Sequence, residues 1–332
     1  MNKHRDIEYL NEISYGYWKA QVLFVAVEMG IFTLIKGVGK SDKVVARKIG
    51  TDHRATEMFL NALVSLGLLR KVKEVYKNTA MSSRYLVKDR PLYQGDRIRH
   101  FHNMWDYWTR LGVAIKTGKP TAFDDAEKEV DEQRLRVFIK AMHNIGTIQA
   151  EEVCRKLHLK KYSSLLDLAG GQGTYAVRFV EKNPEMRAVV FDLPDVIKIA
   201  KEHIKKSGMG GKVTTKAGDC LKVSFGKELY DFVFVSNLLH IYEPDENRKI
   251  LKKCWDSLME NGIVVIQEFV LNRAKTQPIF GTLFSLNMLM GTHKGSSYSE
   301  VEMKEWLRDA GFKNIKRFNP GLESGLIIGY KL

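Results

Sequence analysis

Cysteine and proline are scarce in this chain, with three and seven residues among 332. Cys154, Cys220 and Cys254 lie too far apart for a zinc-ligand pair, and an odd number makes no closed disulfide framework. They read as reduced thiols in a reducing compartment. The histidines are scattered without an HExxH or any other paired-ligand spacing, which predicts no protein-bound metal. Long apolar runs are missing as well. The longest, Val22 to Ile35, is broken by Glu28 and Gly30 and falls short of the roughly 20 residues a bilayer-spanning helix needs, which excludes a transmembrane helix. The first ten residues carry His4, Arg5, Asp6 and Glu8 and lead into no apolar segment, so no secretory signal is expected and the expected location is cytoplasmic.

What is present is a globular composition, with 44% hydrophobic residues and a net charge of +14. A chain of this length suggests about two domains, each able to bury its own core. The positive charge is concentrated early: residues 1–100 hold 18 Lys+Arg against 10 Asp+Glu. Such a region can meet nucleic acid or an anionic surface, and a solvated basic face is the simpler reading.

From Tyr17 to Ile35, Ala20, Leu23, Phe24, Val27 and Phe32 recur at helical spacing, with a break at Gly30. Ser41-Asp42 can cap a helix closed by Gly50, and Thr51-Asp52 a second one over Met58, Phe59, Leu63 and Leu66. An alternating ribbon follows around Glu74. Helix, turn, helix, ribbon is the layout of a winged helix. As a DNA reader its second helix offers only Arg54 and Asn61, beside Glu57, so a dimerisation module is the stronger reading. Residues 98–120 are rich in aromatic and polar side chains, and a further helical run covers Leu135 to Leu159.

After Lys161 the period changes. Ser164 to Leu168, Ala188 to Phe191, Val213 to Ala217, Tyr230 to Val235 and Gly262 to Ile266 are short strand patterns separated by helix-compatible segments. That alternation argues for a parallel sheet with helices on both faces. Asn314 to Phe318, the turn formers Asn319-Pro320-Gly321 and Leu326 to Tyr330 read as a hairpin at the sheet's edge.

The first strand runs into Ala169-Gly170-Gly171-Gln172-Gly173, a glycine-rich turn that lets a ligand approach the backbone at a helix N-terminus. Gly171 to Ala176 also satisfies the G-x-G-x-x-A dinucleotide form, with Asp192 about 20 residues on as a ribose acceptor, so NAD is a rival ligand. Asp167 before the glycines and Asp219 after the third strand favour another occupant. A carboxylate beside the turn repels a pyrophosphate but suits an ammonium and a sulfonium, while the later carboxylates can accept from a ribose diol and an adenine amine. S-adenosylmethionine carries all of these groups; simple loop capping remains the plainer role for Asp192 and Asp219.

The motifs Leu165-Leu166-Asp167-Leu168-Ala169-Gly170-Gly171-Gln172-Gly173, Phe191-Asp192-Leu193-Pro194, Ala217-Gly218-Asp219, Leu238-Leu239-His240, Gln267-Glu268 and Trp306 to Phe312 give the chain a resemblance over nearly its whole length. It resembles the small-molecule S-adenosylmethionine-dependent O-methyltransferases with an N-terminal winged-helix dimerisation domain. The resemblance implies an α/β fold, a Rossmann-like class I methyltransferase sheet preceded by a helical winged-helix domain bearing the short ribbon. The implied domains are 1–120 for dimerisation, 121–160 as helical connector and 161–332 for the cofactor and the chemistry. It implies a homodimer and a small, hydroxylated, aromatic acceptor. By matching position, Gly170, Gly171 and Gly173 would face the methionine part of the cofactor, Asp192 the ribose, Asp219 with Cys220 the adenine, and Ser236 the cofactor's carboxylate. His240 would be the base and Glu268 its orienting partner, with Met142, Asn287 and Met288 as candidate walls of the acceptor pocket.

The chain departs from the family pattern in places. Ala169 replaces the first glycine of the triple, Ile241 and Tyr242 replace an aspartate and a tryptophan after the base, and Lys294-Gly295-Ser296 lacks a second glutamate. The alternatives are transfer to nitrogen, sulfur or carbon by proximity alone, or a winged-helix regulator that senses the cofactor.

Overall fold

The computed structural model describes residues 3–122, 132–319 and 323–332. The chain folds as two compact units, Met1–Asn103 and Met104–Leu332.

In the first unit, helices α1 (Lys3–Ser14), α2 (Gly16–Glu28), α3 (Ile31–Leu34), α4 (Asp42–Ile49) and α5 (His53–Ser65) lead to a ribbon of β1 (Leu69–Val72) and β2 (Val75–Asn78), then α6 (Ala80–Tyr85) and α7 (Gly95–Asn103). The expected caps form: Asp52 accepts the Ala55 N–H at 2.7 Å and Ser41 Oγ that of Val44 at 3.4 Å, contacts worth about 1 kcal/mol each. Ile31, Phe32, Leu60, Leu63 and Tyr76 close one core. Of the two polar residues a DNA-reading helix would have used, Asn61 is engaged by the Tyr76 hydroxyl at 2.8 Å. On α1 and α2, Ile7, Leu10, Ile13, Tyr17 and Trp18 remain exposed.

The second unit begins with α8 (Trp105–Thr109), α9 (Leu111–Thr117) and the long α10 (Glu132–Lys156). Alternation follows: β3 (Ser164–Leu168), α11 (Thr174–Lys182), β4 (Arg187–Asp192), α12 (Pro194–Lys206), β5 (Val213–Ala217), β6 (Tyr230–Ser236), α13 (Pro244–Ser257), β7 (Leu258–Glu268), α14 (Ile279–Gly291), α15 (Glu300–Ala310), β8 (Lys313–Phe318) and β9 (Gly325–Tyr330). The seven strands are ordered β5-β4-β3-β6-β7-β9-β8, parallel from β5 to β7. Strand β9 runs antiparallel between β7 and β8, so only β8 of the terminal hairpin is an edge. Its expected turn at Pro320-Gly321 lies outside the described residues.

Both faces of the sheet are buried along β3, β6, β9 and the second part of β7, which is why these strands read as nearly continuous apolar runs, whereas β5 and β8 at the two edges are largely exposed and polar. Leu166, Leu168, Val233 and Val235 face one core, and Leu165, Phe232 and Phe234 the other. Strand β7 starts at Leu258 rather than Gly262. Between the pairs Tyr230–Leu258 and Phe232–Ile263 the register shifts, with Asn261 at φ 64, so the apparent turn at Asn261-Gly262 is an irregularity within the strand. From β3 the chain winds outward through β4 and β5, then returns to the other side of β3 at β6. Ligands of such sheets bind at that reversal, beyond the carboxyl ends of the strands.

Candidate active site

The turn after β3 is shaped by its glycines and by two carboxylates. A Cβ on Gly170 would lie 2.7 Å from Asp167 Cγ, so only glycine lets the backbone fold over that side chain. Gly173, at φ 82, is the N-cap of α11, and Ala169 holds φ 54. Asp167 is buried; its Oδ2 accepts the Ala176 N–H at 3.1 Å, and its Oδ1 has no partner among the described residues. Burial, with the Asp192 charge adding, pushes the Asp167 carboxyl up to about 7. Asp192, at the end of β4, accepts the Gly171 N–H at 2.8 Å through Oδ2 and the Leu193 N–H at 2.7 Å through Oδ1. Burial raises it to about 6. Asp192 therefore caps the glycine turn as well as ending its strand.

Ser236 ends β6, next to β3 in the sheet, and its Oγ is buried without a partner among the described residues. Beyond β5, Asp219 Oδ1 accepts the Leu221 N–H at 2.9 Å and Oδ2 lies 3.4 Å from Lys222 Nζ. Cys220 Sγ lies 3.4 Å from the Tyr242 hydroxyl, and burial pushes its thiol up. An orphaned carboxylate oxygen and an orphaned hydroxyl on adjacent strands suit a ligand that carries both an ammonium and a carboxylate. The donor set at this edge thus fits the cofactor that the motifs suggest.

A second cluster follows β6 and β7. His240 stands in a one-turn 3₁₀ segment, Leu239–Ile241, and Glu268 is the last residue of β7. Their exposures are 7% and 2%. His240 Nδ1 is 2.9 Å from Glu268 Oε2, and a carboxylate only accepts, so Nδ1 carries a proton and, in the neutral imidazole, the lone pair is on Nε2. The segment is pinned from several sides. Asn247 Nδ2 donates to the Leu239 carbonyl at 2.9 Å, and the Ser296 N–H to the His240 carbonyl at 2.9 Å. A Cβ on Gly295 would come within 2.3 Å of that carbonyl oxygen. The stretch that lacks the second glutamate therefore packs its backbone against the base candidate.

Aromatic rings surround this imidazole, and the sequence reading missed them. Phe284 stands edge-on to His240, with centroids 4.9 Å apart and an 81° interplanar angle, while Phe269 lies 6.2 Å away. Phe280 joins Phe269 at 4.9 Å. The i, i+4 pair Phe280 and Phe284 on the apolar α14 was the available signal. Asn287 and Met288 lie on the same helix, half-buried and buried, and Met142 is half-buried on α10.

Comparison with known proteins bears on both halves of the chain. Residues 94–313 match the family described as the O-methyltransferase domain, and residues 11–88 the O-methyltransferase dimerisation domain. The 3-hydroxy-5-methyl-1-naphthoate 3-O-methyltransferase of Streptomyces sahachiroi is 31% identical over 97% of this chain and 94% of its own. The acetylserotonin O-methyltransferase of Gallus gallus is 28% identical, each chain being covered in full. The crystal structure of human N-acetylserotonin methyltransferase in complex with SAM superposes with a TM-score of 0.90 at 24% identity, covering 100% of this chain and 98% of that one.

Proposed function

The chain belongs to the S-adenosylmethionine-dependent O-methyltransferase family, and on that premise we propose that it methylates a hydroxyl of a small aromatic compound with His240 as general base. It carries the family's dimerisation domain and is a homodimer. Among the described residues no helix is long and apolar enough to cross a membrane. The first unit, Met1–Asn103, serves dimerisation, the helices α8 to α10 connect, and residues 161–332 hold the cofactor and the chemistry. The free thiols suit a cytoplasmic setting.

S-adenosylmethionine, when bound, supplies an electrophilic methyl group on a sulfonium. Gly170, Gly171 and Gly173 with Asp167 would hold its methionine part, Ser236 its carboxylate, Asp192 its ribose, and Asp219 with Cys220 its adenine. His240 Nε2 takes the proton of the acceptor hydroxyl. Glu268 holds the imidazole in the right tautomer and stabilises the imidazolium that forms. Such a base contributes about a hundred- to ten-thousandfold, and holding the acceptor in line provides much of the rest. Met142, Asn287 and Met288 are wall residues of the acceptor pocket, with Phe269 and Phe284 as its flat sides, a surface suited to an aromatic ring.

The observation that carries this reading is the buried His240–Glu268 hydrogen bond beside Phe284. Its test is a panel of phenols, hydroxynaphthoates, thiols and amines incubated with methyl-labelled cofactor. Labelled ethers from hydroxyl acceptors, with S-adenosylhomocysteine in equal amount, are the expected result. Label only on amines or thiols overturns it.

A further inference from the structure

Two histidines outside the chemistry grip the glycine turn. His203, on α12, places Nδ1 3.0 Å from the carbonyl oxygen of Gln172, inside the turn. A carbonyl only accepts, so this Nδ1 carries the proton. His143, on α10, places Nδ1 2.8 Å from the hydroxyl of Thr174, the first residue of α11. The two rings meet edge to face, 4.9 Å between centroids at 65°. They bridge α10 and α12 across the outside of the turn.

We propose that His143 and His203 are positioning residues for the cofactor, a pair of imidazoles that fixes Gln172 and Thr174 and so sets the shape of the Ala169–Gly173 turn. The inference rests on the reading that this turn holds the cofactor.

Packing leaves the turn little slack for any other anchor. Gln172 is buried, and a Cβ on Gly173 would come within 3.1 Å of Val190 Cγ2. Gly146, nearly one helical turn beyond His143, brings α10 so close that a Cβ there would be 3.3 Å from Thr174 Cγ2. His143 also adjoins Met142, so the same helix segment touches the cofactor turn and carries a candidate wall of the acceptor pocket.

The pair works as neutral imidazoles. Burial lowers both, His143 to about 4 with the His203 charge adding; on His203 the hydrogen bond to the Gln172 carbonyl works against burial, Lys206 on α12 opposes a charge and Glu181 on α11 favours one, and burial outweighs them. Two imidazolium rings in contact would repel each other and loosen the turn.

The test compares His203→Leu, which removes the donor, with His203→Asn, whose amide can donate from nearly the Nδ1 position. Calorimetry should show S-adenosylmethionine bound about tenfold more weakly by His203→Leu, because a buried carbonyl loses its partner. His203→Asn should recover most of that affinity. The cofactor KM should rise more than kcat falls. In the parent, nitrogen-resolved NMR should find a proton on His203 Nδ1 that shifts when cofactor is added. Parental affinity in His203→Leu, or equal loss in both variants, overturns the proposal. If His203→Leu does not fold by thermal melting, the NMR readout decides, and an unprotonated Nδ1 overturns it. Asp192→Ala is the control: no loss of affinity there refutes the turn as cofactor site, whereas loss there with none at His203 refutes only the histidine pair.

Discussion

His240 Nδ1 and Glu268 Oε2 are 2.9 Å apart and both side chains are buried, one on the turn that follows β6 and the other at the end of β7. The same carboxylate receives two backbone N–H groups, those of His240 and Phe269, each at 3.3 Å. Glu268 is therefore held by the main chain as well as by the imidazole, and removing the imidazole leaves the carboxylate anchored.

His240→Ala should lower kcat on the true acceptor by about a hundred- to ten-thousandfold while cofactor affinity stays within about threefold. Glu268→Gln should cost less, since its amide oxygen can still accept from Nδ1 while the charge that favours the imidazolium is gone. Steady-state kinetics with calorimetry measures both. Near-normal turnover in His240→Ala would leave proximity alone as the mechanism.

Without cofactor, Asp167 and Asp192 sit near 7 and 6, above the ordinary carboxylate range. Raised values mean that the folded protein binds more protons than the unfolded chain between about pH 4 and 7, so stability is greatest below the unfolded value and falls as pH rises through the folded ones. Asp167→Asn removes the larger part of that loss. Its cofactor-free melting temperature should exceed the parent's at pH 8 and match it at pH 4, by about 2 to 4 °C per kcal/mol for a unit of this size. Melting at or below the parent at pH 8 would refute the buried charge.

Ala169 occupies a left-handed conformation at φ 54, where its Cβ is strained. Ala169→Gly should raise stability by about 0.5 to 1 kcal/mol, the strain relieved exceeding the entropy added to the unfolded chain. Denaturant titration reads the shift in midpoint, and a lower midpoint contradicts it.

Phe284 meets His240 edge-on. Phe284→Leu should raise the KM for an aromatic acceptor several-fold, consistent with the loss of an aromatic pair worth about 0.5 to 1.5 kcal/mol, and leave the cofactor KM little changed. Equal effects on both would mean that the ring supports the fold rather than the acceptor.

Much of the fold was legible because its signals are local. Ser41 and Asp52 cap where cap residues should, Gly30 and Gly50 break the helices in left-handed conformations, and the central strands β3, β4 and β6 read as apolar runs because both faces of the sheet are covered there. Of the candidate site, Asp167, Asp192 and Glu268 stood out in the sequence as carboxylates within or ending strand patterns, and His240 through the motif Leu238-Leu239-His240. Phe269 and Phe284 went unread because a phenylalanine on an apolar helix or strand looks the same whether it faces a core or an imidazole.

By itself, then, the amino-acid sequence determined the local units of this protein: helices with their caps, alternating strands, and a glycine turn framed by acids, each set by forces acting over a few residues. Tertiary structure alone decided what those units meet. It set the 2.9 Å contact between His240 and Glu268 that the family resemblance had paired, left Asp167 Oδ1 and Ser236 Oγ without partners among the described residues on adjacent strands, and closed His143 and His203 around Gln172 and Thr174. The reason is physical: a hydrogen bond between side chains far apart in sequence exists only once the sheet order has placed their strand ends and helices side by side, and no spacing along the chain encodes that order.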